Sequence, residues 1–582
     1  MPPLWSAAAM PPLWNAAAVP PLWSAAACRG FPKTGELLPL NSRGRGRRRV
    51  RVRSVAATAS VIHQQGRVMA RGNAAVAALC AAVLAAVSAA NLQATTRYVW
   101  PNSPFPLFPY ISWMFAAHTI QDAVDAAGEG DTILVTNGVY ATGAKMVPGA
   151  VLQNRVAVTK PMTIQSVNGP DQTIIVGAPD ATTNGYGPNA TRCLYASNGV
   201  TIVGFTLSNG YTDVMVGVPP FAQIAGGGAF LLDNVVLSNC TIVRCKGFYS
   251  AGAVADYMSM VTRCSFVGNN PSNDGSVVSV WRDSVVSDCG VVGGNIAAAS
   301  GSCVLNCRQE GNVGYAGIVA IEASSVLNSI AAANTGGFFG AGGIMAISSL
   351  VSNCVVKDSV GVVQGALYAE GSMIQNCSVV SNKGSVGLYV VGSTVNACKV
   401  AYNEGTSMGA GAYAENSLLA NSLIARNITY HGTGGGVYAG PGVTILNCTI
   451  VLNTCLVAGA GLYSNYGTVV RNSVLDYNLT NTVQSVVGTN VIEYCVTHEP
   501  GVGNNSNYAQ FVDYAHDDFH VLSTSPCIDS GTNGCVYSDY DLDGNWRIEP
   551  AGGTVDIGAY EVVPEPVIVW SALALLFGVR RK

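Results

Sequence analysis

Five tyrosines recur at nearly even spacing, at Tyr368, Tyr389, Tyr413, Tyr438 and Tyr463. They sit within Leu-Tyr-Ala, Leu-Tyr-Val, Ala-Tyr-Ala, Val-Tyr-Ala and Leu-Tyr-Ser. Strand periodicity turns the aliphatic flanks inward and the phenols outward. Rings repeating at about 4.8 Å along one face could stack against the sugar rings of a polysaccharide. The same row also reads as an aromatic ladder that stabilises a parallel sheet. Two residues past three equivalent slots stand Glu322, Glu370 and Glu415, on alternate repeats. Their spacing of about 9.6 Å is at the outer limit for the paired acids of an inverting glycosidase; the alternative is solvated turn carboxylates.

Other reactive residue types offer less. Asp539, Asp541 and Asp543, followed by Gly544, match the first half of a calcium loop, with oxygens at alternate positions and then the glycine turn. The twelfth position is Pro550, so the bidentate Glu is missing. Calcium binding and a solvated acidic turn both stay open. Of 17 cysteines, eight fall in one repeat slot that Ser fills three times. A slot that accepts either residue reads as a buried thiol stack, while Cys527 and Cys535 are the pair read as a disulfide. Cys303 and Cys307 lack His neighbours and make a poor zinc site. His431, His516, His520 and the pair Asp517-Asp518 read as structural polar residues. No catalytic set assembles from these groups.

What must position them is a repeat. Eleven times, an aliphatic residue, a spacer, usually Asn, then Cys or Ser precede a further apolar position. The anchors are Cys240, Cys264, Cys289, Cys307, Ser329, Cys354, Cys377, Cys398, Ser422, Cys448 and Ser473, with seven of ten gaps between 22 and 25 residues. The slot two before the Asn is apolar in every copy; the slot two after the anchor is apolar except at Gln309. The apolar parity switches at the Asn, as at a corner between two strands. Units this short hold three strands and three turns, and parallel crossovers are right-handed. The fold class is therefore all-β, a right-handed parallel β-helix.

The chain at this point resembles the pectin-lyase-like β-helix superfamily. Thr119-Ile-Gln-Asp-Ala-Val-Asp-Ala-Ala127, then Gly128-Glu-Gly-Asp-Thr-Ile-Leu-Val135 and Gly138-Val-Tyr140, look like its opening, a capping helix followed by a first strand. The resemblance spans about residues 118–480. It implies a scaffold shared by lyases, hydrolases, adhesins and tailspikes, so it does not name an activity.

Composition and the chain ends add an address. Only 11% of residues are charged, and 66 are Gly. Residues 1–68 hold 10 Lys/Arg and one Asp/Glu, which leaves the remainder with 20 basic against 32 acidic residues, a net of −12. Nothing in that balance argues for nucleic acid as a partner, and none is expected. Residues 1–68, with three copies of a Pro-Pro-Leu-Trp unit, read as an upstream extension, and Met69–Ala90 as a signal peptide. Residues 91–117 then form a linker and 481–561 a C-terminal module. Within that module, Ser525-Pro-Cys-Ile-Asp-Ser-Gly531, Asp541-Leu-Asp-Gly-Asn545 and Thr554-Val-Asp-Ile-Gly-Ala-Tyr-Glu561 resemble the choice-of-anchor module of bacterial surface β-helices. Residues 562–582, with Val563-Pro-Glu-Pro566, an apolar stretch and Arg580-Arg-Lys582, resemble Pro-Glu-Pro sorting tails. These resemblances imply an exosortase-type sorting enzyme and the Gram-negative envelope as partners. The resulting expectation is an exported, envelope-anchored rod that binds polysaccharide without turning it over, ahead of a polysaccharide lyase or glycoside hydrolase on the same face.

Overall fold

A computed structural model describes residues 94–563, apart from residues 214–219, 272–275, 338–339, 481–484, 489 and 549–551. Residues 1–68, the expected signal peptide and the sorting tail from residue 564 onward lie outside the described residues, as do Glu549 and Pro550.

The repeat folds as a right-handed parallel β-helix. Among the described residues, sheet 1 has 16 strands, from Thr96–Val99 to Val491–Glu493, and sheet 2 has 14, from Gly138–Tyr140 to Val474–Asp476. Sheet 3 has 15, from Lys145–Met146 to Val486–Gly488. These are the three expected strands per coil. From Val313–Gly314 to Leu479–Thr480 a fourth, two-residue strand joins each coil, forming an eight-stranded sheet 4. A coil thus runs Leu367–Glu370, Met373–Gln375, Ser378–Val380 and Lys383–Gly384 before returning to Leu388–Val391.

The ladder exceeds the 118–480 span read from the repeat. It opens at Thr96, inside the expected linker 91–117, and closes at Glu493, inside the expected module 481–561. The first strand therefore precedes the capping helix α1 (Ile120–Ala126), which Thr119 caps by accepting from the Asp122 N–H at 3.2 Å. Helix α1 buries Ile120, Ala123 and Val124 against the first coil. Gln121 exchanges two hydrogen bonds with the Ala157 backbone, at 2.8 and 3.2 Å.

Equivalent residues stack in columns. The inward aliphatic slot of sheet 1 is filled by Val326, Val351, Ile374, Val395, Leu419 and Ile445, in register on successive strands and fully buried. Burying each such side chain contributes roughly 1.5–3 kcal/mol. The corner Asn residues (Asn328, Asn353, Asn376, Asn421, Asn447 and Asn472) all take φ between 46° and 54°, the left-handed region that Asn tolerates.

The Cys/Ser column is buried, and the anchors are free thiols and hydroxyls. The Cys354 N–H donates to Cys377 Sγ (3.5 Å), and the Cys398 N–H to Ser422 Oγ (3.1 Å). Each thiol or hydroxyl in turn donates to the carbonyl two residues back, as Cys377 does to Gln375 at 3.1 Å and Ser422 to Ala420 at 2.6 Å. One small donor–acceptor satisfies both neighbours, which is why Cys and Ser interchange there. A second Asn column is continuous from Asn382 through Asn403, Asn427 and Asn453 to Asn478, with side-chain amide links of 2.9–3.1 Å. Gln309 is fully buried, and exchanges hydrogen bonds with Asn334 at 2.8 and 3.0 Å. A paired amide thus replaces the apolar residue at that slot.

Candidate functional site

The five tyrosines share one outward column of sheet 3. Met345, Tyr368, Tyr389, Tyr413, Tyr438, Tyr463 and Val487 are register partners on successive coils. Neighbouring ring centroids lie 5.5, 4.5, 5.3 and 5.4 Å apart, with interplanar angles of 34°, 19°, 7° and 21°. The rings face one another along the rod axis. Face-on stacking against sugar is therefore closed to the inner members, because each ring face is already covered by the next phenol. What the half-buried row turns outward is ring edges and hydroxyls.

Two of the three expected carboxylates join this column system. Glu370 and Glu415 are in register two coils apart, with Val391 between them. The Tyr368 hydroxyl donates to Glu370 at 2.8 Å, and that of Tyr413 to Glu415 at 3.5 Å. Burial, then the adjacent Glu370 carboxylate, pushes the Tyr368 phenol upward; burial, Tyr389 and Glu415 do the same to Tyr413. Both phenols stay protonated donors at neutral pH. Glu322 does not share the column. Its turn carries two left-handed residues, Glu322 (φ 55°) and Ala323 (φ 61°), where the later coil has Gly371 alone. Ile321 and not Glu322 is thus in line with Glu370, through Ile347 on the coil between, and Glu322 accepts from Ser300 at 2.6 Å.

Upstream, the same outward column is covered. Val319 and Met345 pack beneath Tyr315, and Phe230 and Val254 beneath the short helix α2 (Phe221–Ile224). Phe221 lies 5.1 Å from Trp281. The open part of the sheet 3 face is the tyrosine part.

A second group was not visible in the chain order. At the corner between sheets 2 and 4, Asp358, Ser381, Lys383, Tyr402, Glu404, Arg426 and Ile428 line a shallow groove of about 560 Å³. Asp358, Ser381, Tyr402 and Arg426 are left-handed corner residues on successive coils (φ 53–58°). Glu404 lies 3.4 Å from Lys383 and accepts from the Tyr430 hydroxyl at 3.2 Å. Arg426 pairs with Asp517 at 2.6 Å, and Tyr402 donates to the same carboxylate. Partial burial would raise the Asp517 carboxyl, but Tyr402 and Arg426 hold it below its usual range. Burial and Asp517 push Tyr402 up to about 12. The signal that could have exposed this groove is lysine usage. Of six Lys between residues 94 and 563, Lys357, Lys383 and Lys399 fall within this stretch.

The C-terminal residues cover sheet 2. Phe511, Phe519, Cys527 and Ile557 form one apolar cluster with Leu423, Ala425, Val451 and Val474 of the outer sheet 2 face. Arg547, fully buried, donates to Asn421 at 3.1 Å and pairs with Glu561 at 3.4 Å. Asp541 is bound within the module. Its oxygens accept from the N–H groups of Asp543 (2.9 Å), Asn545 (2.7 Å) and Glu561 (2.8 Å) and from the Asn545 amide (3.2 Å). Asp543 pairs with His520 at 2.6 Å. With Asp541 committed to N–H donors, the three aspartates do not converge on a cation, and among the described residues no cluster of three or more His, Cys, Asp or Glu could hold one. Cys527 and Cys535 are separate free thiols, which corrects the expected disulfide: Cys527 is enclosed in the apolar cluster, while Cys535 is partly exposed.

Comparison with solved structures finds similar chains at low identity. They include pectate lyase Pel9A (12% identity, 81% of this chain and 98% of that one, TM-score 0.25). The A-module of mannuronan C-5 epimerase AlgE6 from Azotobacter vinelandii gives 15% identity, 67% of this chain, 95% of that one and TM-score 0.28. The catalytic unit of a GH87 α-1,3-glucanase from Streptomyces thermodiastaticus gives 14%, 64%, 66% and 0.35. No family model matches the chain, and no curated protein matches it.

Proposed function

We propose that this chain is an exported, envelope-anchored rod whose sheet 3 face binds polysaccharide without turning it over. The observation that carries the reading is the tyrosine column: five phenols on one register line at the spacing of one coil, with Glu370 and Glu415 beside them. A rigid row of identical donors and acceptors suits a polymer that presents the same hydroxyls over and over, because weak contacts add along one strand of ligand. Export rests on the apolar segment at Met69–Ala90, and anchoring by an exosortase-type enzyme on Val563-Pro-Glu-Pro566 with its basic end. A glycan array probed with the wild-type chain and with a Tyr389→Phe/Tyr413→Phe/Tyr438→Phe variant tests the binding. The variant keeps the stacked rings and removes the hydroxyls, so retained binding would defeat the reading. Deleting residues 562–582 should release the protein into the medium; retention in the envelope speaks against the anchor.

The corner groove favours a second reading, a polysaccharide lyase or glycoside hydrolase. Glu404 lines the groove together with Lys383 and Arg426, lies 3.4 Å from Lys383 and accepts from the Tyr430 hydroxyl at 3.2 Å. Reducing-end and ultraviolet assays for unsaturated products on a polysaccharide panel, with Glu404→Gln as control, decide between turnover and binding.

A further inference from the structure

The loop between the first strand and α1 carries an unusual surface. From Tyr98 to Gln121 there is no Asp, Glu, Lys or Arg. Within it Phe105 is 64% exposed, Leu107 60%, Phe108 67%, Ile111 55% and Met114 55%, with Trp113 and Phe115 also exposed. The loop is nevertheless ordered by its own bonds. The Tyr98 N–H donates to Tyr110 (2.8 Å), that of Phe105 to Met114 (3.3 Å) and that of Leu107 to Phe115 (3.2 Å). Arg97 donates to Pro109 (2.7 Å) while pairing with Asp131 (2.9 Å), and Ser103 donates to Ala116 (2.6 Å). A surface held in place before it meets a partner loses little entropy on binding.

We propose that this N-terminal tip is an interface for a second copy of the chain, joining two rods through their ends. Seven large apolar side chains, each about half exposed, offer on the order of 700 Å², larger than the apolar patch of an ordinary monomer and close to one side of a standard protein interface. The patch carries no charge, so it meets its own copy without the like-charge repulsion that a two-fold contact would double. A bilayer fits less well. Membrane-surface segments flank their apolar face with free Lys and Arg, whereas here Arg97 is held by Asp131 and Pro109 and Lys145 by Asp125 at 2.7 Å, beside Asp122 and Glu129. A charged polymer would find nothing on the patch to pair with.

Sedimentation velocity of the full chain from about 1 to about 50 μM, the range where interfaces of this size associate, tests the proposal. The wild type should sediment as a dimer. Phe105→Ser/Phe108→Ser/Met114→Ser should weaken association at least about 100-fold with an unchanged melting temperature, since these side chains are exposed. Val313→Ser, at an 80% exposed site on sheet 4, should leave it unaltered. Mild oxidation of Phe108→Cys should give a disulfide-linked dimer, and of Val313→Cys none. A wild type that stays monomeric, as it would if a preceding segment of its own chain covered the tip, overturns the proposal. So does a triple variant that dimerises as tightly as the wild type. Flotation of a monomeric chain with phosphatidylcholine vesicles, lost in the triple variant, would reassign the tip to lipid.

Discussion

Over the same coils, from about residue 389 to residue 476, two outer faces of the helix take opposite courses. On sheet 2 the outward positions turn aliphatic at Leu423, Ala425, Val451 and Val474, and the C-terminal module lies on them. On sheet 3 they are tyrosines, stacked on one another and left half-buried. Both faces are parallel ladders with the same rise, so the backbone does not distinguish them. The outward residue type does. Aliphatic columns have no polar edge to offer water and need a cover, whereas phenols cover one another's faces and keep a hydroxyl for solvent or ligand. A covered column belongs to assembly of the fold; an open one is where binding is to be sought.

Changes at the covered face should produce the largest effects. Phe519→Ala empties the module's apolar cluster and should cost about 3–5 kcal/mol, read as a lowered urea midpoint and as proteolysis confined to residues after 496. The same truncation on the open face, Tyr413→Ala, should cost only about 1–2 kcal/mol, because its ring has water on one edge. Equal losses at the two sites would dissolve the distinction between the faces.

A pH series should sharpen it. Burial, then Asp556, pushes the Glu561 carboxyl up to about 8, with Arg547 offsetting part of this. Folding therefore takes up a proton there. That contribution is full below the unfolded carboxyl range near 4.5, and it is lost as pH rises through about 8. Module docking should weaken by about 1–3 kcal/mol from pH 5 to pH 9. Glu561→Gln should flatten the dependence in thermal melts. On the open face burial shifts the Tyr368 and Tyr413 phenols upward, so both stay neutral donors across this range and glycan retention should be level.

The smallest effect belongs to the interior, which both faces share. Cys377→Ser should change stability by less than about 1 kcal/mol, since a hydroxyl can accept from Cys354 and donate to Gln375 as the thiol does. Cys377→Val leaves the Cys354 N–H unpaired in the core and should cost about 1–3 kcal/mol in the same urea titration.

Much of the architecture was legible in the chain because a solenoid repeats its instructions. Apolar slots such as Val351 and Ile374, the corner Asn residues and the Cys/Ser anchors recur at one coil length, and each occupies the column its spacing implies. Register was less legible. A single added left-handed residue in the turn takes Glu322 off the line of Glu370, because counting back from the anchor crosses that extra residue while the strands on either side keep their register. The strand Thr96–Val99 was missed because it carries no repeat anchor; its partner Thr132–Val135 defines it.

The sequence by itself determined the coil, the inward and outward alternation and the identity of the buried polar columns, since these depend on local periodicity and on residue types that satisfy identical neighbours. Only the tertiary structure decided that the phenols face one another and present their edges, that Asp541 serves the module's own N–H groups, and that Tyr402, Arg426 and Asp517 meet. Those outcomes depend on which coil lies against which, and on where the C-terminal residues fold back. Contacts between residues roughly 90 to 115 positions apart, as in the meeting of Arg426 and Tyr402 with Asp517, leave no trace in local spacing.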